Sequence, residues 1–290
     1  MSRNNQVILS SRNVAEIKQL ASSARSLFGV NQSVPVGNDI RMVLEKNDIW
    51  LCEYPFSESG DTHTYGNIVM FKTGEKTITF IGLNTASYYD EQIFALAHEI
   101  YHYTTKTGNA YSSEPDEEDK ETEKKADRFA AEFLLPADVL GNMIAMTFDS
   151  TCLDDVPEGR LLRFVARIQC DWWLPYQSIV NRLFEEGYIS EKKYVSLYEI
   201  DCRSNDSLYC KILNSTDSKI SELLNTKTMT IGVSATIIDC VISNFEDGFI
   251  DEDEFIKILG LFGKKPEDYG IDVIVELDED LLKMTEREDN

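Results

Sequence analysis

Residues 94–103 read FALAHEIYHY, and this stretch decides how the rest of the chain is interpreted. Two of the chain's three histidines, His98 and His102, lie here four residues apart, and Glu99 follows the first. Side chains at positions i and i+4 project from one face of an α-helix, so both imidazoles can bind one metal ion. Glu99 is turned about 100° from His98, which lets its carboxylate reach a water molecule on that metal. The pattern is typical of metallohydrolases; the alternative is an amphipathic helix with two hydrogen-bonded histidines.

A catalytic zinc site needs a third protein ligand and an open position for water. The next helical pattern, ETEKKADRFAAEFLLP at 121–136, offers carboxylates. Glu123 lies on a stripe with Asp127 and small alanines, which would let this helix approach the first one closely. Glu121 precedes that stripe, and Glu132 lies on another face. We therefore predict Glu123 as the third ligand. Asp127 either accepts the second N–H of a ligand histidine, which would fix its tautomer, or is a surface charge.

These two segments together resemble the ImmA/IrrE family of zinc metallopeptidases, which pairs an HExxH helix with a helix of pattern E-x-x-A-[ND]-x-F-A-A-x-[LF]-L-x-P. The matching positions are Glu123, Ala126, Asp127, Phe129, Ala130, Ala131, Phe133, Leu134 and Pro136. The preceding ITFIGLNTASYYDEQIFALAHE is similar to the family's strand, turn and entry into the active-site helix. The later WWLPYQSIVNRLFEEGYIS is similar to its helical segment after the peptidase core. The resemblance covers about residues 10–195.

The resemblance implies a zinc-dependent endopeptidase. One zinc ion per chain would be held by His98, His102 and Glu123. Glu99 would take a proton from the attacking water and pass it to the leaving amine. The substrate would be a protein, a helix-turn-helix transcriptional repressor in stress, phage or mobile-element regulation, cleaved at a limited number of sites.

The sequence departs from the family pattern inside and before the motif. Tyr101 replaces the usual small residue within HExxH, which would narrow the site, and no recognisable DNA-binding helix-turn-helix precedes the peptidase. The second group that stabilises the oxyanion is left open. Tyr101, His63 and Tyr65 are candidates for oxyanion or substrate contacts, although His63 is more simply explained as a loop or strand residue.

Outside the motifs, the pattern predicts an α+β fold. A zincin-like core would combine a small antiparallel-rich sheet with the HExxH helix and the third-ligand helix, followed by a helical C-terminal extension. The sequence predicts a helix at 11–28 and strands near Ile49–Tyr54 and within GNIVMFKTGEKTITFIGLN. Asp90 is predicted to cap the histidine helix, and the acidic run SEPDEEDKETE is interpreted as a solvated loop. The predicted division is a core at 1–140, a helical segment packed on it at 141–200, and an acidic, mainly helical domain of unknown role at 201–290.

The charge is strongly acidic: 51 acidic against 28 basic residues in 290, a formal net charge of -23. Such a surface repels phosphate backbones, so we expect no direct nucleic-acid binding and a basic DNA-binding regulator as partner. No apolar run has the length of a signal peptide or a membrane span, so we expect a cytoplasmic protein. The six cysteines lack CxxC spacing and are expected to be reduced thiols. The oligomeric state is left open.

Two other functions remain compatible with the sequence. One is a non-catalytic sensor or antitoxin-like binding protein that retains a zincin scaffold; the other is a hydrolase for a small peptide or amide. The acidic region at 246–290 would be a partner surface, a sensor or a solubilising face. Within it, SNFEDGFIDEDEF has EF-hand offsets, but Phe245 stands at a ligand position, so a packed helical pair is the better interpretation.

Overall fold

A computed structural model describes residues 9–56, 64–74, 76–107 and 117–271, without the side chains of residues 117 and 118. The chain divides into two compact units, Met1–Gly232 and Val233–Asn290. The first unit contains three longer strands and ten α-helices among its described residues. In chain order these are α1 (Ser11–Leu27), α2 (Ile40–Glu45), β1 (Ile49–Tyr54), β2 (Gly66–Thr73), β3 (Lys76–Asn84), α3 (Tyr89–Thr105), α4 (Glu117–Leu134), α5 (Ala137–Phe148), α6 (Glu158–Trp172), α7 (Tyr176–Glu185), α8 (Glu191–Tyr198), α9 (Leu208–Thr216) and α10 (Ser218–Leu224).

The sheet is mixed. β2 and β3 form the antiparallel hairpin that the sequence predicts, with Gly66 opposite Leu83. β1 runs parallel to β3, with Ile49 opposite Thr79, which the sequence did not indicate. Across the sheet the order begins β2-β3-β1: the third strand in sequence lies between the first two, so β1 pairs with a strand that does not follow it directly in the chain. A two-residue strand, β4 (Gly232–Val233), completes the order, so β2 is an edge strand.

One face of the sheet packs on α3, and α3 packs on α4. Strand residues such as Ile81 and Leu83 are completely buried, as are Leu96 and Ile100 on α3. Each buried Leu or Ile side chain contributes about 1.5–3 kcal/mol to folding. The helix that carries HExxH is therefore fixed between the sheet and the next helix, and the predicted α+β class is confirmed.

The start of α3 differs from the prediction. The helix is capped at Tyr88, and Asp90 lies inside its first turn, completely buried. Asp90 accepts hydrogen bonds from Gln169 Nε2 at 2.9 Å and from Arg203 Nη2 at 2.8 Å. The prediction was wrong because these partners lie 79 and 113 residues away, where local sequence cannot reveal them. Burial raises the pKa of Asp90, and the charge and hydrogen bond of Arg203 lower it.

The acidic run before the second motif is also partly misassigned. From Glu117 onward it forms the first turns of α4, whereas the residues before it lie outside the described part. Acidic side chains are favourable at this end because a helix N-terminus carries partial positive charge. At its other end α4 stops at Leu134, close to Pro136, as predicted.

The first unit extends past the domain boundary that we predicted at residue 201. Helix α9 packs on α6, and its Tyr209 and Leu213 are completely buried. The Tyr209 hydroxyl donates to Gln169 Oε1 at 2.7 Å. The polar segment 200–207 therefore is a loop within one unit, and the composition change there does not mark a boundary. All six cysteines are free thiols.

The second unit is helical where it is described. Its helices are α11 (Ala235–Glu246) and α12 (Glu252–Leu261). Phe255 is completely buried, and its ring stacks on Phe245 with centroids 4.3 Å apart. The core is small, centred on Ile238, Phe255 and Leu259. The helical C-terminal extension is thus confirmed.

Within the described residues, no single helix has the length and apolar composition needed to cross a membrane. The bent pair Asp119–Leu134 and Ala137–Phe148 passes that test jointly, with a 57° bend between the two helices. Their apolar side chains, including Phe129, Phe133 and Ile144, are buried inside the first unit.

Candidate metal centre

Helix α3 brings the two histidines of the motif together. His98 and His102 lie one turn apart, with ring centroids 5.1 Å and Nε2 atoms 3.2 Å from one another. Two Nε2 atoms this close together are expected when both histidines bind one metal ion.

Helix α4 supplies a carboxylate at the same position. Glu123 Oε2 lies 3.1 Å from His98 Nε2, and Oε1 lies 3.4 Å from His102 Nε2. Ligand atoms of the three residues all lie within 4.8 Å of one another. The approach is close because Ala126 and Ala130 of α4 are small and completely buried. The structure thus brings together the three residues that the sequence nominates as ligands.

The other two carboxylates considered as ligands are engaged elsewhere. Glu121 pairs with Lys125 at 2.7 Å and accepts from Asn13 at 3.2 Å. Glu132 pairs with the buried Arg182 and accepts from the backbone N–H of Ala137 at 2.7 Å.

The donor set and its electrostatics fit a zinc ion. Two imidazole nitrogens and one carboxylate oxygen are a common protein set for catalytic zinc. Burial works against a charged His98, yet the hydrogen bonds that its ring donates to Asp127 and Glu123 raise its pKa to about 10. Hydrogen bonds from His102 and His98 lower the pKa of Glu123 below its usual range. The site therefore stabilises positive charge, which a bound cation would supply.

The outer nitrogen of each histidine also has a partner. His98 Nδ1 lies 3.1 Å from Asp127 Oδ1, the contact that the predicted orienting role of Asp127 requires. His102 Nδ1 lies 3.0 Å from Thr107 Oγ1, a residue that sequence reasoning missed. Thr107 follows the end of α3 and turns back because Lys106 adopts a left-handed conformation, with φ 59°. No spacing rule of the motif reveals that contact.

Glu99 is buried beside the edge strand and lines a cleft of about 530 Å³ together with His98 and Glu123. Burial raises its pKa, while the charges of His98 and His102 lower it. Gly66 at the start of β2 passes close above it: a Cβ there would lie 3.5 Å from Glu99 Oε1 and 3.2 Å from the Gly82 carbonyl. The absence of a side chain at Gly66 keeps the strand close to this carboxylate.

The three candidates for oxyanion or substrate contacts have different locations. Tyr65 lines the cleft, and burial, followed by the charge of Glu91, raises the pKa of its hydroxyl. Tyr101 is not among the residues that line the cleft. Its ring is buried and packs 5.6 Å from Phe129 and 5.5 Å from His102, measured between centroids, so its contact is with a ligand histidine. His63 lies outside the described residues.

A further wall of the cleft comes from α7, which the sequence placed only as a helical segment. Gln177, Ser178 and Asn181 line it, together with Tyr198 at the end of α8. Sequence reasoning missed them because their part in the cleft depends on how α7 packs against α4, more than 40 residues earlier in the chain.

Comparison with known families agrees with this geometry. Residues 44–150 match the Peptidase_M78 model, described as the IrrE N-terminal-like domain. This match covers 107 of the chain's 290 residues. The matched range runs from the end of α2 through α5, and so includes β2, both histidines, Glu99 and Glu123. The family resemblance found in the sequence is confirmed. No curated protein matches the chain.

Proposed function

We propose that this protein is a zinc-dependent endopeptidase that makes limited cuts in a protein substrate. The observation that carries the proposal is the convergence of His98, His102 and Glu123, with the buried Glu99 beside them in an open cleft. His98, His102 and Glu123 would hold one zinc ion per chain. When bound, zinc would supply Lewis-acid chemistry, activating a water molecule and polarising the scissile carbonyl.

Glu99 would be the catalytic base. Its carboxylate would take a proton from the attacking water and deliver that proton to the leaving amine. Burial holds its pKa up, toward the working pH, which favours both halves of this transfer. Asp127 would hold His98 in the tautomer whose Nε2 is free to bind the metal. Tyr65, which lines the cleft, would assist by contacting the substrate or its oxyanion.

The edge of β2 offers a track for the substrate. The amide of Asn84 donates to Tyr65 O at 2.9 Å, so Tyr65 turns its backbone groups toward β3. Residues alternate in an antiparallel ladder, so Gly66 turns its N–H and C=O toward the other side. An extended peptide would pair with these groups directly above Glu99.

The substrate we propose is a basic, DNA-binding helix-turn-helix repressor, and the setting is stress, phage or mobile-element control in the cytoplasm. The net charge of -23 supports attraction to a basic partner and repulsion from nucleic acid. The competing function is that of a non-catalytic sensor or antitoxin-like protein, which would use the same scaffold without hydrolysis.

A cleavage assay tests the proposal. The zinc-loaded protein is incubated with a small helix-turn-helix repressor encoded beside its gene, and fragments are identified by mass spectrometry. We expect discrete cuts by the wild type, none by Glu99→Gln, and unchanged cuts by Glu121→Gln, a control glutamate on α4 that is half-buried and ion-paired with Lys125. Equal cleavage by Glu99→Gln would show that Glu99 is not the base.

A further inference from the structure

The cleft wall formed by α7 has a regular arrangement of polar side chains. Gln177, Asn181 and Glu185 are spaced by four residues and lie along one face of the helix, and all three line the cleft. This stripe belongs to the same cleft as Gly66 and His98. An extended substrate bound at the metal centre can therefore also contact the stripe.

Asn181 is held in one orientation. The Tyr194 hydroxyl donates to Asn181 Oδ1 at 3.0 Å, and the Tyr194 ring stacks on Phe184 with centroids 4.7 Å apart. Because the carbonyl end of the amide is taken by Tyr194, its Nδ2 group, which carries two donors, can serve a ligand. A pre-oriented donor in a cleft is a feature of binding sites, since little side-chain entropy is lost when the ligand arrives.

The position of α7 relative to the metal centre is fixed by ion pairs of two buried arginines, Arg128 of α4 and Arg182 of α7. Arg128 on α4 contacts Glu186, and its Nε lies 3.3 Å from Glu185 Oε2. Arg182 on α7 is completely buried, contacts Glu132 of α4, and donates to Leu135 O at 3.2 Å. Glu123 and Asp127 lie on that same α4. The ion pairs thus hold the α7 stripe at a fixed distance from the ligand and its orienting partner.

The spacing of the stripe matches an extended peptide. Four residues of α-helix rise about 6 Å. Two residues of β-strand rise about 6.6 Å, and every second carbonyl points to the same side. The amides of Gln177 and Asn181 can therefore donate to carbonyls of alternate residues in one extended chain, whatever its side chains are.

We propose that α7 is a substrate-binding wall and that Asn181 donates a hydrogen bond to a backbone carbonyl of an extended substrate segment, with Tyr194 as the residue that positions Asn181. This inference rests on the proposed function and adds the form of the substrate: an unfolded or linker segment in extended conformation, recognised through its backbone.

The test compares two zinc-binding probes on the zinc-loaded protein. Acetohydroxamate contacts only the metal centre, whereas acetyl-tetra-alanyl hydroxamate extends from it through peptide backbone alone. Binding is measured by calorimetry for wild type, Asn181→Ala, Tyr194→Phe and the control Asn142→Ala, which changes an exposed asparagine on α5. Thermal melting of each variant checks that it is folded.

We expect acetohydroxamate to bind all four proteins equally. The tetra-alanyl probe should bind the wild type and Asn142→Ala more tightly, and Asn181→Ala about 3- to 10-fold more weakly, the loss expected for one hydrogen bond. Tyr194→Phe should show a smaller loss in the same direction. Equal affinity of the long probe for wild type and Asn181→Ala overturns this inference alone. Failure of the wild type to bind acetohydroxamate overturns the proposed function as well.

Discussion

At the scale of single residues, the metal centre is organised by contacts behind the ligands. Asp127 and Thr107 each take the Nδ1 atom of one histidine, which leaves both Nε2 atoms facing Glu123. The HExxH spacing made His98, Glu99 and His102 predictable, and the helical face made Glu123 predictable. The sequence did not predict the contact of Thr107, because it depends on the left-handed turn at Lys106. Nor did it predict that Tyr101 is buried, because that depends on packing against Phe129.

Removing the charge of Asp127 should weaken metal binding. In Asp127→Asn the carboxylate that orients His98 is lost, so zinc affinity should fall about 10- to 100-fold, the usual cost of losing such a partner. Competition with a fluorescent zinc chelator measures this. Asp138→Asn, an exposed position at the start of α5, should leave the affinity unchanged. Identical affinities for the two variants would mean that Asp127 is only a surface charge.

A side chain at Gly66 should impair catalysis more than folding. The Cβ of Gly66→Ala would press on the Gly82 carbonyl and approach Glu99, so β2 must move away from the carboxylate. We expect a drop in kcat/KM of at least about tenfold, since small misplacements at a reacting centre are costly. Gly74→Ala, which meets nothing within 4 Å but lies in the hairpin turn with φ +62°, should reduce stability without that loss of rate. If Gly66→Ala kept its kcat/KM while Gly74→Ala lost it, the edge strand β2 would not have the role in catalysis assigned to it.

At the scale of helices and strands, periodicity located most elements, and long-range contacts decided what they do. The predicted helix at 11–28 and the predicted strand at Ile49–Tyr54 agree closely with α1 and β1. Sequence could not show that β1 would pair in parallel with β3, or that α7 would form a wall of the cleft. Both facts depend on residues distant in the chain. β3 lies between β2 and β1 in the sheet, and Arg182 of α7 pairs with Glu132 of α4.

Breaking that ion pair should destabilise the first unit strongly. Arg182→Met removes one partner of the buried Glu132 and leaves it Arg128, whose Nη1 lies 3.4 Å from Glu132 Oε2. Breaking a buried ion pair typically costs about 3–5 kcal/mol, so with Arg128 remaining we expect a loss of up to that size. Urea unfolding followed by tryptophan fluorescence measures it. Arg167→Met, at an exposed position on α6, should change stability by less than about 0.5 kcal/mol. Adding Glu132→Gln to Arg182→Met should restore part of the loss, and a purely additive result would argue against coupling.

At the scale of the whole molecule, the two units differ greatly in the size of their cores. All three tryptophans, Trp50, Trp172 and Trp173, lie in the first unit, so their fluorescence reports that unit alone. The polar segment near residue 201 predicted an earlier boundary. A polar composition indicates solvent exposure, but it does not show that Tyr209 of the following helix is buried against α6.

Truncating Phe255 should unfold the second unit without affecting the first. Loss of a buried Phe costs about 3–5 kcal/mol, which a core of this size cannot absorb. For Phe255→Ala we expect reduced far-UV helix signal and an unchanged urea midpoint by tryptophan fluorescence. Phe249→Ala, a 77% exposed residue of the same unit, should resemble the wild type in both signals. A shifted fluorescence midpoint in Phe255→Ala would show that the two units unfold together.

The central claim is that His98, His102 and Glu123 form one zinc site served by Glu99, and metal content tests it most directly. After extensive dialysis, mass spectrometric metal analysis should find one zinc ion per chain in the wild type and in Glu99→Gln. His98→Ala and Glu123→Ala should retain none, because a catalytic site needs all three protein ligands. Zinc-free wild-type protein, or full zinc content in both alanine variants, would contradict the account.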